Sequence, residues 1–148
     1  MTRRQGEGAL SDAIREALAY EPGLLLMRNS AAVVRLGGRV YHGGLGNGSA
    51  DLVGVLKVPV SLAIGRDVGL FVAIEVKLPG KVPTPERIAK LQAAMSGRGD
   101  LVCADDRRDL AQWDWLAAIR ERGGFACYVD SVQAARAAIV RARRGERQ

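Results

Sequence analysis

Short apolar runs typical of strands alternate along this 148-residue chain with longer stretches of helical periodicity, and this order constrains the fold more than any other feature. In chain order the segments are helix 8–20, strand 24–27, a hairpin of 31–36 and 39–42, strand 51–56, strand 70–77, helix 84–95, helix 105–122, strand 125–129 and helix 132–143. Because such segments pack in layers, we expect an α/β fold with a central mixed β-sheet flanked by α-helices. The length suits a single domain over residues 1–148.

Glycines mark two of the connections between these segments. Gly37 and Gly38 predict a hairpin that joins residues 31–36 to residues 39–42, since glycine adopts positive φ at no steric cost. Four glycines within residues 43–48 predict a loop that leads directly into strand 51–56. Residues 60–64 form either an extra short strand or part of an irregular connection.

The composition excludes several kinds of chemistry. Two isolated cysteines and one histidine argue against a disulfide framework and a zinc site, so any metal must be a hard cation bound by carboxylates. No organic cofactor is expected. No apolar run approaches the ~20 residues that span a bilayer, and no apolar segment follows the charged start. We therefore expect a cytoplasmic protein without membrane contact.

Charge is concentrated on one face of the strand at residues 70–77. Side chains alternate between the two faces of a strand, which places Glu75 and Lys77 together on a face opposite Ile74 and Val76. Buried charges are costly unless they are paired or bound. One interpretation is an edge strand whose polar face lies in water. The other is a functional site, which Asp51 favours, because neighbouring strands would bring Asp51 next to Glu75.

Two adjacent carboxylates repel each other unless a cation neutralises them. Asp51, Glu75 and the backbone carbonyl of Val76 would suit Mg²⁺, with Mn²⁺ as the expected substitute. Such an ion polarises a phosphate and activates water, and Lys77 would orient that water or help to deprotonate it. The pattern therefore predicts phosphodiester hydrolysis by metal-activated water.

The segment Gly48-Ser-Ala-Asp51-Leu-Val-Gly, followed by Ala73-Ile-Glu75-Val-Lys77, resembles the active-site signature of the PD-(D/E)XK nuclease superfamily. More narrowly, it is similar to the VRR-NUC group, especially its small stand-alone versions in phages and prophages. The resemblance implies a restriction-endonuclease-like fold and a Mg²⁺-dependent endodeoxyribonuclease in a bacterial or phage-infected cytoplasm. Ala50 stands where the superfamily's namesake has proline.

The resemblance extends to both sides of this signature. Glu7 resembles the acid that leads the group's first helix and reaches the metal, with Asp12 and Glu16 as alternative acids on the same helix. Gln112 resembles a glutamine that faces the active site from the helix after the Glu-x-Lys strand, and Gln92 is the competing candidate. Helical spacing also places Gln112 on the apolar face with Trp115 and Leu116, although an exposed first-turn position is the alternative. The segment 85–111 is then an insertion.

Basic residues are the expected contacts to DNA. The last 18 residues carry five arginines against one glutamate, which predicts either a phosphate-contacting helix or a solvated end, with a basic and disordered tail at 144–148. Arg28 is expected to contact phosphate or to position Glu7, with Asn29 assisting. The full set of candidates is Arg28, Asn29, Lys81, Arg141, Arg143 and Arg144.

The resemblance to junction-resolving enzymes implies branched DNA as the substrate. Cutting two strands of a branch requires two active sites, so a homodimer is expected. The alternatives are a non-catalytic DNA-binding protein on the same fold, or a sequence-specific restriction or homing-type endonuclease.

Overall fold

A computed structural model of the chain describes residues 3–30, 33–46, 48–59, 67–97 and 103–146. Within these ranges the elements follow the predicted order, with ends that differ by a few residues. They are α1 (Arg3–Ala17), β1 (Leu24–Arg28), β2 (Val33–Leu36), β3 (Arg39–His42), β4 (Leu52–Pro59), β5 (Asp67–Val76), α2 (Pro85–Gly97), α3 (Ala104–Glu121), β6 (Phe125–Val129) and α4 (Val132–Arg143).

Four of the strands form one mixed sheet in the order β1-β4-β5-β6. β1 and β4 are antiparallel, β4 and β5 are antiparallel, and β5 and β6 are parallel. β2 and β3 form a separate antiparallel hairpin whose turn is Gly37-Gly38, with φ of 55° and 75° as expected for glycine. The predicted central mixed sheet is confirmed.

Helices cover both faces of this sheet. On one face, α1 and α4 pack against the larger apolar cluster, to which β5 contributes Val72, Ile74 and Val76. On the other face, Leu116 of α3 packs with Ala73 and the other members of a smaller cluster. Since β5 is paired on both sides and covered on both faces, the interpretation of residues 70–77 as an edge strand is wrong.

β1 and β6 are the two edge strands of this sheet. The apolar run at residues 24–27 predicts a short buried strand, but only one face of β1 is partly buried. Leu24 and Leu26 pack on the core, whereas Leu25 and Met27 are 61% and 50% exposed. An apolar run without alternating polar residues gives no sign that one of its faces meets solvent.

Local hydrogen bonds explain where the helices begin. Ser131 caps α4, because its hydroxyl accepts from the backbone N–H of Ala134 at 3.1 Å. Thr84 precedes α2 and accepts from the N–H of Arg87 at 3.3 Å. The segment 85–111, which the resemblance makes an insertion, includes α2 and the beginning of α3 at Ala104. Its last residues are the first two turns of the helix that carries Gln112.

At the C-terminal end, residues 144–146 form the turn that closes α4, in which the N–H of Gly145 donates to the carbonyl of Ala142. Residues 147–148 and the predicted extra strand at 60–64 lie outside the described residues. In the part of the chain that the structure describes, no helix combines the length and the hydropathy required to span a bilayer.

Candidate active site

The antiparallel pairing of β4 and β5 brings two carboxylates together. Leu52 pairs with Ile74, so Asp51 lies opposite Glu75. The backbone N–H of Asp51 donates to Glu75 Oε2 at 3.2 Å, and the N–H of Val76 donates to Asp51 Oδ2 at 3.1 Å. Each carboxylate is therefore positioned by the backbone of the other strand.

Lys77 lies directly after β5 with its side chain only 1% exposed. Its Nζ contacts Gln112 Oε1 at 2.6 Å, Asp109 Oδ1 at 3.2 Å and Glu75 Oε1 at 3.3 Å. These are as many acceptors as an ammonium has N–H donors. Two nearby carboxylates and an amide oxygen thus offset the cost of burying the charge.

Gln112 forms hydrogen bonds with both Glu75 and Lys77. Its Nε2 donates to Glu75 Oε1, while its Oε1 accepts from Lys77. The side chain is buried in the third turn of α3, so the exposed first-turn alternative is wrong. Gln92 lines a different pocket, together with Met95 and Ser96.

Asp109 is a member of the site that the sequence analysis did not identify. It is buried, one turn before Gln112 on α3, and its Oδ2 pairs with Arg87 of α2 at 3.0 Å. Arg87 also pairs with Asp106 at 2.9 Å. The available signal was the i, i+3 spacing of Asp109 and Gln112, which places both on one helical face.

A cleft of about 680 Å³ opens beside Asp51, between α1 and α3. Glu7 lines it and is 6% exposed. Of the alternative acids, Asp12 pairs with Arg28 at 3.1 Å, and Glu16 is exposed away from the cleft lining. Glu7 is therefore the α1 acid at the site, and Arg28 pairs with Asp12 in this structure.

Asn29 lines the cleft and holds the glycine-rich loop in place. Its Nδ2 donates to Ser49 Oγ at 2.7 Å and to the carbonyl of Ala50 at 2.8 Å. Its Oδ1 accepts from the N–H of Leu45 at 3.0 Å, and its own N–H donates to the carbonyl of Asp51 at 2.8 Å. The side-chain amide is thus engaged within the chain and anchors the entry to β4.

The predicted basic contacts at the end of the chain lie away from the cleft. α4 covers the sheet face opposite to the one that carries Glu75 and Lys77. Arg143 of α4 pairs with Glu21 at 2.5 Å, and neither Arg141 nor Arg144 lines the cleft. Lys81 is exposed in the turn after β5 and is also outside the lining. Among the described residues, the arginines that do line the cleft are Arg28, Arg107 and Arg108.

Burial leaves both carboxylates of the site with raised pKa values. For Asp51, burial is the largest cause, partly offset by the N–H of Val76 and by Arg108. For Glu75, burial and the charge of Asp51 raise the pKa to about 8, while Lys77 opposes the shift. Negative charge is thus poorly compensated between these two side chains, and a cation bound there would relieve the imbalance.

The donor atoms fit a hard cation and no soft metal, because they are carboxylate and carbonyl oxygens. Among the described residues, no group of three or more His, Cys, Asp or Glu side chains is arranged to hold a metal ion. The set that remains is the Asp51–Glu75 pair. Mg²⁺ is commonly bound by one or two carboxylates and keeps several waters.

Comparison of the chain with family models, curated proteins and solved structures found no match. The fold class that the structure shows is a mixed sheet flanked by helices. The geometry of the site within this chain is therefore the structural basis for assigning a function.

Proposed function

We propose that this chain is a Mg²⁺-dependent endodeoxyribonuclease with the PD-(D/E)XK fold, similar to the VRR-NUC group. One observation carries the proposal: Asp51, Glu75, Lys77 and Gln112 converge from three elements into one contact network beside a cleft. Burying charges in this way is unfavourable for a purely structural network, because two of the carboxylates repel each other. A function that requires them accounts for their presence.

Asp51, Glu75 and the backbone carbonyl of Val76 are the residues that would hold the ion, with Glu7 acting through water. When bound, Mg²⁺ supplies Lewis-acid polarisation of the phosphate, activation of water and neutralisation of the leaving oxyanion, and Mn²⁺ substitutes for it.

Lys77 has two tasks in this proposal. Its ammonium donates a hydrogen bond to the attacking water, and its charge offsets the negative charge that develops on the phosphate. The contact to Glu75 at 3.3 Å is the longest of its three contacts, so it is the one that exchanges for water. Gln112 and Asp109 keep the ammonium in place during that exchange.

The test is cleavage of a four-way junction, a linear duplex and a single strand, each with Mg²⁺, Mn²⁺ or EDTA. Lys77→Met keeps the length of the side chain without its charge, and Lys90→Met on exposed α2 is the matched control. We expect metal-dependent cutting that Lys77→Met reduces roughly 10²- to 10³-fold, the range for loss of one donor that stabilises charge in the transition state. Circular dichroism of each variant separates lost chemistry from lost folding.

The substrate that is cut distinguishes a structure-specific nuclease from a sequence-specific one. Preference for the junction supports a structure-specific enzyme, which acts as a homodimer because two strands are cut. Cutting at one duplex sequence supports a restriction or homing-type enzyme. DNA binding without cleavage of any substrate, unchanged in Lys77→Met, contradicts the catalytic proposal and indicates a non-catalytic DNA-binding protein.

A further inference from the structure

Arg108 lies one helical turn before Gln112 on α3, so the two side chains lie on the same face of the helix. Both line the cleft beside Asp51. Gln112 is directed to the acids and the lysine beneath, and Arg108 is partly buried nearer the beginning of the helix. The helix therefore places a guanidinium over the same cleft that the acidic pair borders.

Arg108 makes no hydrogen bond or ion pair with any residue that the structure describes. Other arginines near the site are engaged, Arg28 with Asp12 and Arg87 with Asp106 and Asp109. A partly buried guanidinium has several N–H donors in a fixed plane, and leaving them without acceptors is costly. Arg108 thus has donors available for a ligand that enters the cleft.

Arg108 and Asp51 line the same cleft, yet among the described residues the guanidinium forms an ion pair with neither Asp51 nor Glu75. A ligand that lies between the acidic pair and Arg108 must present negative oxygens to the guanidinium. A phosphodiester group does so, and the planar fork of arginine binds two such oxygens at once.

We infer that Arg108 binds the non-bridging oxygens of a DNA phosphate in the cleft beside Asp51. The inference rests on the proposed function for the identity of the ligand, and on the unpaired guanidinium in the cleft for the site. It assigns the sequence-independent part of substrate binding to α3, whereas the contacts expected from the sequence lie at the end of β1, after β5 and in the basic end of the chain.

The test compares Arg108→Ala and Arg108→Lys with Arg136→Ala, an exposed arginine on the opposite face of the sheet. The affinity for a fluorescent DNA duplex is measured in EDTA, where no cleavage takes place, at several salt concentrations. We expect Arg108→Ala to weaken binding roughly 10- to 100-fold, as for a lost charge-assisted hydrogen-bond pair. The salt-dependence slope falls by about 1, Arg108→Lys restores part of the affinity, and Arg136→Ala changes neither quantity.

Mg²⁺ titration of the same variants distinguishes this role from a simple counter-charge. If Arg108 only balances Asp51 and Glu75, Arg108→Ala leaves DNA affinity unchanged and tightens Mg²⁺ binding, which overturns the inference. Cleavage by the wild type with unaltered DNA binding in Arg108→Ala also overturns it, while the nuclease proposal stands. If the wild type binds DNA but cuts no substrate, and Arg108→Ala loses that binding, the result supports the phosphate site and contradicts the nuclease proposal.

Discussion

At the scale of single residues, Glu75 shows how burial disfavours the charged form of a carboxylate in the site. The side chain is 0% exposed and accepts from the backbone of Asp51, the amide of Gln112 and the ammonium of Lys77. These contacts compensate only part of the cost, because burial and Asp51 raise its pKa from 4.5 to about 8. Below a pH of about 8, the protonated form is thus favoured in the folded, metal-free protein.

This shift predicts how stability depends on pH. Between pH 4.5 and about 8, the folded state keeps a proton on Glu75 that the unfolded chain releases, so the free energy of unfolding falls as pH rises. In EDTA, Glu75→Gln should therefore be more stable than the wild type at pH 8 and similar to it at pH 4. Urea unfolding at both pH values measures this, with the exposed Glu121→Gln as control. A wild-type advantage at pH 8 would contradict the assignment.

Asp109 provides a second prediction at the residue scale. Replacing it with alanine leaves buried Lys77 without one of its two carboxylate partners and also breaks the pair with Arg87. Removing one partner of a buried ion pair costs about 3 to 5 kcal/mol. Asp114→Ala, an exposed acid on the same helix, should change stability by less than about 0.5 kcal/mol. Chemical denaturation of both variants compares them, and equal effects would sink the idea that Asp109 anchors Lys77.

At the scale of elements, the loop before β4 determines where Asp51 lies. Asn29 bonds this loop from the end of β1, and α3 packs closely against it at Gly48. A Cβ on Gly48 would lie 2.8 Å from the Cβ of Ala111, on a residue with φ of +83°. The glycine therefore serves the approach of α3 to the loop, and with it the distance from Gln112 to Glu75.

A comparison of Gly46 with Gly48, in the same loop, distinguishes the cost of backbone strain from the cost of close packing against α3. Gly46 also has positive φ, of +94°, but no atom within 4 Å of an added Cβ. Gly46→Ala should cost about 1 to 2 kcal/mol from the backbone alone. Gly48→Ala should cost more, because the clash with Ala111 adds to a similar strain, and it should also weaken metal binding by displacing Asp51. Thermal unfolding and Mg²⁺ titration of both variants are the measurements, and equal costs would argue against close packing at Gly48.

At the scale of the whole molecule, the two faces of the sheet are packed unequally. The face under α1 and α4 holds the larger apolar cluster, and the face under α3 holds a smaller one around Leu116. Toward the beginning of α3, apolar packing gives way to Gln112 and Asp109. The site thus belongs to the sheet–helix layer itself, and binding there is coupled to the stability of the entire fold.

Metal binding should therefore stabilise the whole chain against unfolding. At a Mg²⁺ concentration 100 times its dissociation constant, the gain is about 2.7 kcal/mol. This corresponds to roughly 5 to 10 °C in melting temperature for a domain of this size. At one fixed Mg²⁺ concentration the increase should be larger at pH 8 than at pH 6, because the ion must displace the proton from Glu75 and therefore binds more weakly at the lower pH. Calorimetry of the wild type and Asp51→Asn tests this, since the variant should show little of the increase.

Local sequence patterns determined most of the elements and the core of the site. Strand alternation placed Glu75 and Lys77 on one face, because this pattern follows from backbone geometry alone. Helical spacing made a position of Gln112 on the apolar face one of two alternatives, and the structure shows the side chain buried there. The adjacency of the two strands that brings Asp51 to Glu75 was also expected, and the structure shows that they pair antiparallel. These features need no knowledge of how the helices dock.

Only the tertiary structure showed which of several acidic or basic residues lie at the site. Asp109 reaches Lys77 and the neighbouring acids of α3 do not, and Glu7 lines the cleft where Asp12 and Glu16 do not. The arginines at the cleft likewise come from α3 and β1, whereas the basic end of the chain lies across the sheet. A sequence shows which face of a helix a charge occupies. Which charge meets the site depends on where that helix docks on the sheet, and many residues distant in the chain determine this together.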